Sequence, residues 1–213
     1  MSVVGHRMVT LRAMRPADLA ACVALEQAAY PEELWEGELG YQHWLTASAG
    51  GCVVAVVVQQ HNGTPSEQVA GMFISMLTRP EDCPMDLATD GEFAAPTEAA
   101  EVGEATLYLH DISVAPAFRG NGVSQLLVAR LEQLATDLDA STITLTAVCG
   151  AWDFWERLGF QELGRSSTAF ASGSKLLQAQ AERLSHYPPE AGDARLMVRA
   201  TGTSASGATK SAL

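Results

Sequence analysis

The sequence predicts an α/β fold: one central mixed sheet with helices on both faces. Three observations carry this reading. The apolar runs fall in a ββ…βαβαβ order, the arrangement that packs helices onto a sheet. A length of 213 residues suits one domain better than two. Hydrophobic residues make up 47% and charged residues 18%, enough for a core and too little charge for a disordered chain.

Taken in order, residues 8–14 read as a first strand. Arg15-Pro16-Ala17-Asp18 opens a helix, with proline tolerated in its first turn and an acid near the positive end of the dipole. Leu19, Cys22, Val23 and Leu25 give that helix an apolar face, and it ends before Tyr30-Pro31. A second helix spans 36–48 and stops at Gly50-Gly51. Residues 52–59 and 69–77 are strands joined as a hairpin through His61-Asn62-Gly63-Thr64-Pro65. Residues 105–114 form the next strand. A long helix over 124–138 follows, with Leu127, Leu131, Leu134 and Leu138 on one stripe. Residues 142–148 alternate Ile143, Leu145 and Ala147 against threonines, a strand with two distinct faces. A short helix over 151–158 is capped by Gly159. Residues 161–165 and 195–200 are short strands, with a helical stretch at 175–185 between them.

Residues 1–200 make a single domain, interrupted at 80–104 by an acidic insertion. That segment holds eight acids, three prolines and no Lys, Arg or His, so it contributes −8 of the net −12 and leaves −4 elsewhere. Residues 201–213, rich in Ser, Thr, Ala and Gly, read as a disordered tail. A sequence pI near 4.7 argues against nucleic acid and anionic membranes as partners. The N-terminus lacks the apolar run of a secretory signal. Residues 52–58, the most apolar stretch, are too short to span a bilayer. Cys22, Cys52, Cys83 and Cys149 stand far apart and away from metal-spaced histidines. They read as reduced thiols in a cytoplasmic protein with no metal.

The chemistry concentrates between Leu107 and Leu127. A strand ends at Val114, a turn carries Arg119-Gly120-Asn121-Gly122, and a helix begins. First-turn amides and the dipole make such a helix start attractive to anions. Glycines let the backbone come close to a phosphate, and Arg119 adds a charge beside it. On physics alone this is a pyrophosphate cradle or an ordinary strand-to-helix turn. It is neither a Walker loop nor a full dinucleotide-binding turn.

The run Val114-x-Pro116-x-Phe118-Arg119-Gly120-Asn121-Gly122-Val123-Ser124-x-Leu126-Leu127 resembles the acetyl-CoA signature of the GNAT N-acetyltransferase superfamily. Phe154-Trp155-Glu156-Arg157-Leu158-Gly159-Phe160 resembles that superfamily's later helix-to-strand motif. The resemblance implies the GNAT acyl-CoA N-acyltransferase fold, with acetyl-CoA as co-substrate. Its pyrophosphate is expected on the amides of Gly120, Asn121, Gly122, Val123, Ser124 and Gln125, beside Arg119. The pantetheine is expected along Ile112, Ser113 and Val114, with Trp155 packed on it. Leu109-His110-Asp111-Ile112, Leu11-Arg12 with Asp18, and Tyr30-Pro31-Glu32 look like the arylalkylamine (serotonin-type) branch. That branch carries two histidines on this strand, where Tyr108 and His110 stand here.

Acyl transfer to an amine needs a base for the amine proton and gains from an acid for the thiolate. Strict strand alternation groups Tyr108, His110, Ile112 and Val114 on one face, with Leu107, Leu109 and Asp111 opposite. A bulge would turn Asp111 inward instead. His110, with an ordinary pKa of about 6.5, is the expected base, by direct attack in a ternary complex. A strand N–H near Ile112 or Val114 is the expected oxyanion donor. The family's acidic tyrosine falls on Trp155, whose indole is no acid. Tyr108, Tyr30 and Tyr187 are the substitutes. Trp35 and Trp44 read as core or as the lining of an amine pocket. Cys149 is the nearest thiol for a ping-pong route. The acceptor implied is a small, aromatic-compatible amine. The alternatives are a protein N-terminus or lysine, and a non-catalytic acyl-CoA-binding regulatory module. A homodimer is the protein assembly expected.

Overall fold

The most apolar stretch of the chain lies where the sheet is covered twice. In the computed structural model, which describes residues 2–4, 7–48, 50–61, 64–79, 105–163, 184 and 187–202, Val53 to Val57 are all buried on strand β3 (Cys52–His61). The preceding strands are β1 (Ser2–Val4) and β2 (Arg7–Ala13), and β4 spans Thr64–Thr78. β5 (Thr106–Val114), β6 (Thr142–Ala147), β7 (Gln161–Glu162) and β8 (Arg195–Ala200) complete an eight-stranded sheet of order β1-β2-β3-β4-β5-β6-β8-β7. Neighbours are antiparallel except β5 and β6, which run parallel. The sheet is therefore mixed, as the sequence predicts.

Helices cover both faces. α1 (Leu19–Ala29) and α2 (Gly37–Ala47) pack Leu19, Cys22, Leu25, Tyr41 and Trp44 against Val54, Val56, Met72 and Ile74. α3 (Val123–Asp137) and α4 (Trp152–Arg157) cover the other face, with Leu127, Leu131 and Trp155 against Val53, Phe73, Leu107 and Ile143. Leu127, Leu131 and Leu134 face this core as predicted, whereas Leu138 ends the helix exposed. Gly159 closes α4 at φ +84°, with the Phe160 N–H donating to Trp155 O at 3.1 Å. Arg199 ties β8 to both helices, donating to Leu158 O at 2.8 Å and Glu132 Oε1 at 2.6 Å.

Element bounds differ from expectation by a residue or two at most ends. A 3₁₀ turn at Pro16–Asp18 precedes α1, β4 begins five residues early, and β1 adds an edge strand. The predicted insertion at 80–104, Cys83, Arg165, nearly all of the 175–185 helix and the last eleven residues of the tail lie outside the described residues.

Candidate active site

β5 and β6 pair only from Thr106–Leu109 to Thr142–Leu145. Beyond those four pairs both strands run on without each other, and the sheet opens as a wedge. The wedge holds a cleft of about 160 Å³ whose walls include Leu109, Ile112 and Val114 of β5, Leu145 and Ala147 of β6, and Trp155. His110, Tyr30, Ser124 and Thr146 are the polar contributors to its lining.

A bulge sets the faces of β5. Asp111 pairs with Ile74 and Leu109 with Ser75, which leaves His110 as the additional residue. Strict alternation therefore gives way to the bulged alternative, with Asp111 turned to the side of His110. Leu107, Leu109, Ile112 and Val114 share the α3 side, while His110 and Asp111 meet groups contributed by α2 and the segment that joins it to α1, and Ser113 donates to Asp111. The Ala115 N–H donates to Ala70 O at 2.9 Å. In an antiparallel ladder that bond directs Ser113 and Asp111 toward β4 and turns the backbone groups of Ile112 and Val114 to the wedge.

His110 Nε2 lies 2.6 Å from Glu36 Oε1, and its ring sits 4.2 Å from that of Trp44. Trp44 is fully buried and donates its indole N–H to Glu36 Oε2 at 2.9 Å, so it is a core residue bracing the carboxylate. Burial pushes the Glu36 carboxyl up. The charge of His110 and the hydrogen bonds from His110 and Trp44 more than reverse this, leaving it below its ordinary value. Glu26 of α1 accepts the N–H groups of Glu36 and Gly37, at 2.6 and 3.1 Å, and so caps α2 from a neighbouring helix. Burial holds Glu26 above the usual carboxylate range.

Asp111 is buried, with Tyr30 Oη donating to Oδ1 at 2.7 Å, Tyr41 Oη to Oδ2 at 2.8 Å and Ser113 Oγ to Oδ1 at 3.1 Å. Burial raises its pKa despite those three donors. Burial and the adjacent carboxylate also push both phenols upward.

Of the residues singled out from sequence, His110, Ile112, Val114, Ser124 and Trp155 meet at the cleft. Trp155 is buried, edge-on to Phe154 and Phe160 at 5.0 and 5.2 Å. Ser113 does not join the lining, because its hydroxyl turns to Asp111 and its backbone to β4. Tyr108 is 2% exposed and off the lining, with its ring 6.1 Å from His110. Gly120 and Gly122 hold φ of +73° and +82°, and α3 begins at Val123. The amides of Val123, Ser124 and Gln125 have no intrahelical acceptor. Arg119 braces this turn, donating to Val114 O at 3.0 Å and Ala28 O at 3.3 Å. Asn121 donates to Arg119 O at 3.0 Å. Trp35 is half-buried and donates to Tyr30 O at 2.9 Å. Cys149 is exposed and Tyr187 half-buried, and neither lines the cleft. Cys22 and Cys52 are buried thiols pushed up to about 12 by burial. Glu26, Glu36 and Tyr41 escaped the sequence reading altogether.

Among the described residues no cluster of three metal-ligating side chains occurs, and no helix is long and apolar enough to cross a membrane. A family model described as "Acetyltransferase (GNAT) family" matches residues 14–160. No curated protein matches the chain at a significant level. Ard1 from Thermoplasma volcanium superposes with a TM-score of 0.57 at 13% identity, covering 91% of this chain and 97% of that one. The ribosomal-protein-S18-alanine N-acetyltransferase from Escherichia coli gives 0.53 at 16%, over 95% and 100%. The GphF GNAT-like decarboxylase, in complex with isobutyryl-CoA, gives 0.57 at 21%, over 90% and 99%. At such identities the likeness speaks for the fold. The family match over residues 14–160, on a mixed sheet wedged open beside a glycine-started helix, makes the class that of an acyltransferase. The chain belongs to the acetyltransferase (GNAT) family.

Proposed function

We propose that the protein moves an acetyl group from acetyl-CoA to the primary amine of a small, aromatic-compatible molecule, by direct attack in a ternary complex. The carrying observation is His110, set by the β5 bulge on the wall of the cleft and held 2.6 Å from the Glu36 carboxylate. A carboxylate in that position orients the imidazole and stabilises the imidazolium formed when the amine proton is taken up.

The donor fits the same wedge. The backbone groups of Ile112 and Val114 face the open side, where a pantetheine amide would continue the missing ladder and one N–H would meet the developing oxyanion. The positive φ of Gly120 and Gly122 brings the chain into the first turn of α3, whose amides would hold the pyrophosphate. Ser124 adds a hydroxyl there. Trp155 serves as an apolar wall, and Tyr108 packs behind His110. The arylalkylamine resemblance of the β5 segment supports a small amine as acceptor. The fold likeness to an enzyme named for the S18 alanine supports a protein N-terminus as the second reading.

The test is release of CoA from acetyl-CoA across a panel of small amines and peptides, with product masses and His110→Ala alongside. Acetylation of small amines that falls by about 10²-fold or more in His110→Ala is expected. Acetylation of peptides only would overturn the acceptor, unchanged activity in the variant would overturn the base, and saturable binding without turnover would overturn the transfer itself.

A further inference from the structure

We infer that Gly40, together with Glu26, is a positioning residue for the base: the two fix the Glu36 carboxylate against His110. This rests on the acetyl-transfer reading above. Glu36 precedes α2, and its side chain lies along that helix, over Gly40, to reach the Trp44 indole N–H at 2.9 Å. A Cβ at position 40 would stand 2.5 Å from Glu36 Cβ, 3.1 Å from its Oε2 and 3.6 Å from its Cγ. A helix carries each Cβ toward its N-terminus, so a methyl at 40 falls on the residue four before it. The nearest of the three atoms is bonded to the backbone, and no rotation about χ1 moves it away. Glycine is otherwise the poorer residue inside a helix. Here it is the groove in which the carboxylate lies.

The backbone of Glu36 is held from the other side. Glu26, buried on α1, accepts the Glu36 N–H at 2.6 Å and the Gly37 N–H at 3.1 Å. Gly37 turns the chain into α2 at φ +67°, a conformation that favours glycine. The stem of Glu36 is thus set by α1 and two glycines. Its tip is set by Trp44 on Oε2, which leaves Oε1 for His110 at 2.6 Å.

Glu26 and Gly40 are both off the cleft lining, so they act through Glu36. Displacing a supporting group by about 1 Å is enough to be felt at the reacting atoms. The other titratable groups that bear on the Glu36–His110 pair are Glu26 of α1, Tyr30 at its end, Tyr41 of α2 and Asp111 of β5. The methyl of Gly40→Ala meets Glu36 before any of them.

Gly40→Ala, Glu36→Gln and the double variant test this, with Leu39→Ala, exposed on the same helix, as the control. Two quantities are measured. One is kcat and KM for a single amine. The other is the NMR titration of the His110 ring in the free protein, its resonance assigned by loss in His110→Ala. In Gly40→Ala, kcat should fall about three- to tenfold with KM within about twofold. The His110 titration should move to lower pH, as in Glu36→Gln. The double variant should match Glu36→Gln within about twofold, because the methyl works only through that carboxylate. Leu39→Ala should match wild type in both. Glu26→Gln replaces one acceptor oxygen by a donor. It should reproduce both changes without adding to Glu36→Gln, and it carries the test should Gly40→Ala not fold. Losses that multiply in the double variant, a loss shared by Leu39→Ala, an unchanged kcat or a His110 titration that stays in place would overturn the assignment. A titration that moves as expected in a protein that acetylates no amine or peptide would overturn the acetyl-transfer reading instead, and leave the aiming of Glu36 standing.

Discussion

His110 Nε2 and Glu36 Oε1 meet at 2.6 Å although 74 residues separate them in the chain. One comes from the bulge of β5 and the other from the residue preceding α2. The interaction that lowers the Glu36 pKa is mutual. Glu36→Gln therefore removes the stabilisation of the imidazolium and leaves its ring less firmly oriented. We expect kcat to fall about tenfold, and the acidic limb of the pH–rate profile to move to lower pH, because an unaided imidazole gives up its proton more readily. A profile recorded for both proteins with one amine checks this. An acidic limb that stays in place would dissociate Glu36 from the base.

Asp18 makes a second, structural pair. Arg12 donates to both its oxygens at 2.7 and 2.8 Å, and the Arg15 N–H adds a third bond at 2.8 Å. The Arg12 guanidinium holds this carboxyl below its usual 3.8, against the opposing effect of burial. A depressed carboxylate contributes stability above its unfolded pKa and loses it as pH falls through the folded value. Asp111 and Glu26, both raised, act in the opposite sense and lose their contribution as pH rises. Asp18→Asn should cost about 2 kcal/mol at neutral pH and progressively less in acid. Urea unfolding of both proteins across the acidic range measures that convergence.

Gly51 stands where no side chain fits. A Cβ there would lie 1.9 Å from Ser75 O, a backbone atom already accepting the Ser48 hydroxyl. The Ser75 N–H in turn donates to Gly51 O at 2.8 Å. Gly51→Ala must therefore push β4 away from the end of α2, at a cost of about 3 kcal/mol or more. Thermal unfolding reads it directly, with Gly50→Ala, which meets nothing within 4 Å, as the tolerated neighbour.

Gly120 presents the converse case. Space around it is open, and the constraint is its φ of +73°. Gly120→Ala should lose only about 1 kcal/mol of stability. Its larger effect should be on the donor: a CoA Kd several-fold weaker by calorimetry, with kcat nearly unchanged at saturation. A weakened kcat with an intact Kd would contradict the cradle assigned to this turn.

What sequence revealed and what it concealed follow from range. The Arg119-Gly120-Asn121-Gly122 turn and the leucine stripe of α3 are local patterns, and the structure places both within a residue or two of expectation. Gly159 as a helix cap is equally local. The bulge at His110 is not, because it is defined by the partner strand, where Ile74 and Ser75 face Asp111 and Leu109. Without it, alternation assigns Ile112 and Val114 to the face of His110. Glu36 carries no local mark of a role, since its partners His110 and Glu26 come from other elements. Tyr30 and Asp111, 81 residues apart, are likewise joined only by the fold. β1 is three residues long and lies on an edge, too short for periodicity to register.

The four-pair ladder between Thr106–Leu109 and Thr142–Leu145 is also a seam. It joins a leaf of five antiparallel strands to a smaller leaf of β6, β8 and β7. Whatever occupies the wedge stitches the leaves together, so donor affinity and fold integrity share one thermodynamic cycle. CoA at a hundred times its Kd should add about 2.7 kcal/mol of stability. Amide exchange should report that gain most strongly in the smaller leaf, which is otherwise joined to the rest by the seam and by the core under α3.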